Sequence, residues 1–294
     1  MSKEEKRQLR AEQQRVKENI EERQRRAREK DARRLEKTII ANERKLAAQI
    51  EPAKIDLDGP VNVVCLIHGT GYSWNYVERL YSMVMRNITR PVRFHVYTEA
   101  SREVPPHMIK HVLEEWPGVS GPRKSWWYKM QLFNSDLFKG SLLYFDLDIV
   151  IVGSLDWIPL LHPKFFWAPK DFRSMWRASH TGINSSVMWF DTQAFSYIWQ
   201  DFKTRDLTHT IQKFQGDQDF VSEVVDKRLL RYFPPNNAIS WRWQAKDGGV
   251  NFKNRLYLSP GTGTRFTNIT SILIFHGSPK PHEVDDPVIQ NFWR

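Results

Sequence analysis

Two aspartates two positions apart, Asp146 and Asp148, lie inside the apolar run Leu142-Leu143-Tyr144-Phe145-Asp146-Leu147-Asp148-Ile149-Val150-Ile151-Val152. A run of this length reads as a strand buried in an α/β sheet. A carboxylate there is costly unless something compensates its charge. Residues i and i+2 of a strand share a face, so both carboxylates can converge on one divalent cation. A strand ending in such a site is where an open α/β sheet places its chemistry. The same D-x-D spacing recurs at Asp56/Asp58 and Asp217/Asp219, but only the central copy has the apolar context.

The elements that must position this pair follow from hydrophobic periodicity. Val61 to Ile67 reads as a first buried strand, with His68-Gly69-Thr70-Gly71 as the loop after it. Helical spacing runs from Tyr76 to Arg86, and Val92 to Thr98 reads as a second strand. Helices are expected over His107 to Trp116, Trp126 to Phe138, Phe195 to Phe202 and Phe220 to Leu230. Further short strands are expected at Phe165 to Ala168, Ser186 to Phe190 and Ile272 to Phe275. Strands alternating with helices indicate an α/β domain over residues 61–294.

Residues 1–50 are different. They hold 16 Lys+Arg against 10 Asp+Glu, no aromatic residue, no Gly and no Pro, and all 12 Trp of the chain lie after residue 70. That composition favours helix but cannot build a core. The apolar positions are sparse, so this charged helical arm is either a solvated single helix or a weak coiled coil. Self-association and docking to an anionic membrane surface are its two candidate uses. Of the net charge of +10, the arm carries +6, so a nucleic-acid reading would rest on the arm alone and is disfavoured. Residues 51–60, with Pro52 and Asp58-Gly59-Pro60, read as a linker. Cys65 is the one cysteine, no secretory h-region opens the chain, and no apolar stretch is long enough to span a bilayer. These features fit a cytoplasmic protein, peripheral at most to the inner face of a membrane.

Four separated blocks, in order, resemble glycosyltransferase family 8 and its bacterial relatives. They are Tyr144 to Leu155 with its D-x-D, Ile183-Asn184-Ser185-Ser186-Val187-Met188-Trp189-Phe190-Asp191, Gly216-Asp217-Gln218-Asp219, and Phe275-His276-Gly277-Ser278-Pro279-Lys280-Pro281. The resemblance spans roughly residues 61–285 and is more specific than any one block. His276 stands closer to Lys280 than the family's usual pattern has it, with Gly277 directly after the histidine.

The resemblance implies a GT-A fold, a Rossmann-like mixed sheet flanked by helices, and an enzyme that moves a hexose from a nucleotide-sugar, a UDP-sugar, with retention. It implies Asp146, Asp148 and His276 as ligands of Mn²⁺ or Mg²⁺, and a mixed oxygen and imidazole set suits Mn²⁺ somewhat better. A cation against the departing diphosphate stabilises charge where it develops. Lys280, Gly277, Lys129 and Asn184 would contact the donor, and Tyr72 or Tyr76 would stack on the base. Asp217 or Gln218 would face the anomeric carbon in an oxocarbenium-like transition state. The acceptor is a glycan, a lipid-linked glycan or a protein. The bland readings are a hydrogen-bonded strand-end histidine for His276, a turn cap for Asn184 and a helix cap for Asp217.

Two rivals stand beside this. Asp146 after an apolar strand also fits the nucleophile of a haloacid-dehalogenase-like phosphatase, but the acidic pair that chemistry needs is offered only by Asp285-Asp286, which follows Pro281 rather than a strand. The other is a GT-A scaffold protein without catalysis, with the basic arm docking an assembly.

Overall fold

The computed structural model describes residues 59–119, 121, 124–177, 179–246 and 263–294. The arm expected over 1–50, most of the linker and the pair Asp56/Asp58 lie outside the described residues.

Seven strands form the main sheet, in the order β3-β2-β1-β4-β7-β6-β8. They are β1 (Val61–Leu66), β2 (Val92–Thr98), β3 (Ile109–Val112), β4 (Ser141–Phe145), β6 (Phe166–Ala168), β7 (Val187–Asp191) and β8 (Leu230–Tyr232). Strand β1 is parallel to β2 and β4, while β7 runs antiparallel to β4 and β6, so the sheet is mixed. A three-stranded sheet, β5-β10-β9, joins β5 (Ile149–Ile151), β9 (Ala238–Ser240) and β10 (Ile272–Ile274). The period of two is visible in the packing. Val63, Cys65, Leu143 and Phe145 face one apolar layer, and Val64, Leu142 and Tyr144 face the other. The helix α1 (Asn75–Asn87) buries Tyr76, Val77, Leu80, Met83 and Val84 in the first layer, at the spacing of one helical face. Truncating Leu80, fully buried there, would cost about 2–5 kcal/mol.

The apolar run at 142–152 is not one strand. It leaves the main sheet after Phe145 and joins the small sheet at Ile149, so Asp146-Leu147-Asp148 form a turn between β4 and β5. The break takes both aspartates out of the ladder to the carboxyl end of β4, where Lys129 reaches Asp146 and Lys280 reaches Asp148. The Asp146 amide still donates to Ser186 O at 2.8 Å, and Asp148 O accepts from the Phe275 amide at 3.1 Å, so the turn is tied to both sheets.

Three expected helices are corrected. His107 to Trp116 holds β3 instead, paired in parallel with β2; four residues of mixed polarity do not fix a period. Over Trp126 to Phe138 the chain forms a tight 3₁₀ helix, Ser125–Phe133, and Trp127 to Phe133 are buried all round, so it has no solvent face to give an amphipathic signature. Helix α4 (Asp217–Val224) ends early, because Asp226 Oδ1 accepts from the Arg228 amide in a turn and β8 follows. Two helices, α2 (Ser196–Thr204) and α3 (Leu207–Lys213), precede α4, and α5 (Pro287–Phe292) closes the described chain. Asp286 caps α5 through the Val288 amide and accepts from the Thr264 amide. The acidic pair that a phosphatase would need is thus half used as a helix cap.

Candidate active site

The chemistry gathers at the turn after β4. Lys129, carried on the buried 3₁₀ helix, places its ammonium 2.8 Å from Asp146 Oδ1 and 3.5 Å from Asp217 Oδ2. Tyr144 donates to the same Asp146 oxygen at 2.7 Å, and Ser185 Oγ donates to Asp217 Oδ2 at 2.6 Å. Burial pulls the Lys129 ammonium down, but Asp146 and Asp217 outweigh it and hold it above its ordinary value, so it stays charged. Asp217 opens α4 as its first residue rather than capping it, and a carboxylate suits that end of a helix. Burial raises Asp217, with Lys129 opposing.

Asp148 is served from two other parts of the chain. The Tyr72 hydroxyl donates to its Oδ2 at 2.9 Å, and the Lys280 ammonium contacts the same oxygen. Burial and then the charge of Asp146 raise Asp148, with Lys280 opposing. Gly277 lies between His276 and Lys280 with φ +76°, a left-handed backbone that lets the strand end turn back towards Asp148.

Tyr72, Tyr76 and Lys280 share the wall of one cavity of 440 Å³, with Arg79, His282 and Trp293. The Tyr72 and Tyr76 rings meet edge to face at 4.8 Å, Tyr76 OH bonds His282 Nδ1, and the Arg79 guanidinium lies 4.2 Å over Trp293. This is an aromatic and cationic hollow beside a carboxylate pair. The last three residues were not legible in sequence, because nothing local marks Trp293 as a neighbour of a loop more than 200 positions earlier.

Asn184, His276 and Gln218 each have protein partners of their own. Asn184 Oδ1 accepts from the Ser186 amide in a turn, the commoner use of asparagine. His276 Nε2 is bonded to Ser240 Oγ at 2.7 Å, and its ring stacks on Phe172 and leans on Trp243. Burial, then Arg242, pushes it down to about 4, so it is neutral. Among the described residues, no three His, Cys, Asp or Glu side chains converge as metal ligands. Gln218 turns to Asp171, which accepts from its Nε2 at 3.1 Å. Trp241 is core, stacked on Phe275.

The donor set still fits a hard cation in part. Asp146, Asp148 and Asp217 are matched by the two ammoniums of Lys129 and Lys280, which leaves one negative charge over. Asp146 Oδ2 and Asp148 Oδ1 have no hydrogen bond among the described residues. Two carboxylate oxygens, with phosphate oxygens and water to complete the shell, suit Mg²⁺ or Mn²⁺.

No protein-family model matches the chain, and no curated protein matches it. Solved structures do. An active-site mutant of LgtC superposes with a TM-score of 0.55 at 14% identity, covering 79% of this chain and 94% of that one. The galactosyltransferase LgtC in complex with donor and acceptor sugar analogs gives 0.54 at 13% identity over the same shares. GlyE of Streptococcus pneumoniae TIGR4 gives 0.52 at 14%, covering 80% of this chain and 59% of that one. The chain has the GT-A fold of glycosyltransferases. In this GT-A domain the Asp146–Asp148 turn stands at the carboxyl end of β4, next to β1, where an open α/β sheet places its ligand crevice.

Proposed function

We propose that this protein is a divalent-metal-dependent glycosyltransferase of the family 8 type. It moves a sugar from a UDP-sugar to a glycan, lipid-linked or protein acceptor, with retention of configuration. The observation that carries the reading is the pairing of two half-free carboxylates, Asp146 with Lys129 and Asp148 with Lys280, of which Lys280 also lines the aromatic hollow. The complex of LgtC with donor and acceptor sugar analogs, on the same fold, supports a nucleotide-sugar donor and a sugar acceptor here.

In this reading Asp146 and Asp148 would hold Mn²⁺ or Mg²⁺, which when bound would offset charge on the diphosphate. His276 would serve as a third ligand through its other ring nitrogen, with the Nε2 bond to Ser240 Oγ orienting the imidazole. Lys280 exchanges part of its contact with Asp148 for the diphosphate as negative charge grows on the leaving oxygen. Tyr72 and Tyr76 offer ring faces to the base, and Gly277 gives the backbone room to turn Lys280 inwards. Lys129 fixes Asp217 beside Asp146, and Gln218, next in the chain, faces the anomeric carbon. A phosphatase using Asp146 as nucleophile is not favoured, since Asp286, half of the acidic pair that chemistry needs, caps α5.

The test is release of UDP from a panel of UDP-hexoses with Mn²⁺ and with a chelator, followed by NMR of the product's anomeric proton. Cleavage of one donor, dependent on the ion and giving a retained product, is expected. An inverted product would remove retention, and no cleavage with any nucleotide-sugar would remove the transferase reading.

A further inference from the structure

We propose that Asp171 is a positioning residue for Gln218, turning its amide so that the carbonyl oxygen, not the nitrogen, faces the transferred sugar. This rests on the transferase reading above and adds a residue to it. Asp171 follows β6 and caps the 3₁₀ helix Phe172–Met175, with its Oδ1 accepting from the Arg173 amide at 2.8 Å. Its side chain is buried, 4% exposed, yet it carries no role in the resemblance that pointed to the D-x-D.

Its second oxygen is a hub. Asp171 Oδ2 accepts from Arg173 Nε at 2.9 Å and Nη2 at 2.6 Å, from His180 Nε2 at 2.9 Å and from Gln218 Nε2 at 3.1 Å. Arg173 Nη2 also donates to Asp219 Oδ1 at 2.7 Å. Asp219 and Gln218 share the first turn of α4, so one guanidinium clamps that turn to the loop bearing Asp171. Burial alone would raise the Asp171 carboxyl, but the bonds from Arg173 and His180 outweigh it and hold it below the usual range.

That charge state decides the amide. An ionised carboxylate only accepts, so the end of Gln218 that meets it must be the NH₂ group. The choice follows from chemistry, not from the assignment of two atoms of like size. Oε1 is then directed away from Asp171 and has no hydrogen bond among the described residues. In the transferase reading Gln218, next in the chain to the Asp217 that Lys129 ties to Asp146, presents that free oxygen to the transferred sugar. A carbonyl oxygen there stabilises an electron-poor anomeric carbon, whereas an N–H would oppose it. His180 and Arg173 hold Asp171 and have no contact with the donor in this assignment.

Three variants test it: Asp171→Asn, Gln218→Glu and the two combined. Asparagine is also a good cap, so Asp171→Asn keeps the local fold. Donor cleavage is read as UDP release from UDP-galactose or UDP-glucose, whichever the wild type cleaves faster. Asp171→Asn is expected to lower kcat about 10-fold with the donor KM within about twofold. Gln218→Glu sets two carboxylates against each other and should lose about 100-fold, while the double variant, with donor and acceptor exchanged, should regain about 10-fold over Gln218→Glu alone. Losses that merely multiply in the double variant, or a full kcat in Asp171→Asn, would overturn the proposal.

A readout free of activity separates this from failure of the transferase reading. The Gln218 side-chain NH₂ signal, assigned by its loss in Gln218→Glu, should be shifted downfield and protected from exchange in the wild type, and both features should weaken in Asp171→Asn. An ordinary, freely exchanging amide would overturn the proposal whether or not any UDP-sugar is cleaved.

Discussion

The Tyr72 hydroxyl donates a 2.9 Å hydrogen bond to Asp148 Oδ2, joining the loop after β1 to the aspartate turn after β4. Tyr72 therefore holds the carboxylate while its ring lines the hollow. Replacing it with phenylalanine keeps the ring and removes the bond. Tyr72→Phe should weaken Mn²⁺-supported UDP binding by roughly 10-fold, since partners of a ligating carboxylate commonly matter to that extent. The melting temperature should move little, and titration calorimetry beside a thermal scan separates the two effects.

Lys129 is the cation on which two carboxylates depend. Lys129→Met leaves Asp146 and Asp217 without their shared charge partner, and removing one member of a buried ion pair costs about 3–5 kcal/mol. Urea unfolding should show that loss, and adding Asp217→Asn should recover part of it by taking away one of the stranded charges. An unchanged midpoint in Lys129→Met would mean the ammonium is not structural.

Gly277→Ala tests the turn that carries Lys280. At φ +76° a side chain costs about 1–2 kcal/mol, although the space itself is adequate, with Arg242 3.8 Å from the added carbon. The expected result is a modest fall in stability together with weaker UDP binding, because relaxing the turn moves Lys280 away from Asp148.

Acid sensitivity has a source far from the site. His95 is buried between His111 Nε2, 2.9 Å from its Nδ1, and Asn62 Oδ1, 3.3 Å from its Nε2. Burial, then His111 and Arg93, pushes it down to about 4. The folded chain therefore refuses a proton that the unfolded chain takes up near its ordinary value of 6.5. Stability should be unaffected by this group above about pH 6.5 and fall by up to about 1.4 kcal/mol per pH unit from there towards pH 4. Unfolding curves across that range should show the slope, and His95→Gln should reduce it.

The readable parts of the chain were those where chemistry and pattern coincide locally. Asp146 and Asp148 stood out because charge interrupts an apolar run, and that contrast survives any error in the element itself. The break of the run into β4 and β5 was not legible, since Phe145 and Ile149 are equally apolar and only their different sheets separate them. Lys280 was legible as a residue of the site, but its contact with Asp148 was not, because the two lie 132 positions apart. The spacing from His276 to Lys280 was visibly short, but its partner Ser240 lies 36 positions away and leaves no trace near the histidine. Asp171 was invisible for a similar reason. In sequence it is one aspartate before a phenylalanine, and its meaning comes from Arg173, His180 and Gln218 meeting it in space. The all-buried helix of Lys129 misled on type because burial on every side erases periodicity.

The central claim is that Asp146 and Asp148 build a metal-dependent nucleotide site. Titration calorimetry of UDP, with and without Mn²⁺, against the wild type and Asp148→Ala tests it most directly. The account predicts UDP binding that requires Mn²⁺ and is lost in Asp148→Ala, with the variant still folded by its thermal transition. UDP binding that is indifferent to both the ion and the substitution, or no binding by folded wild type, would contradict it.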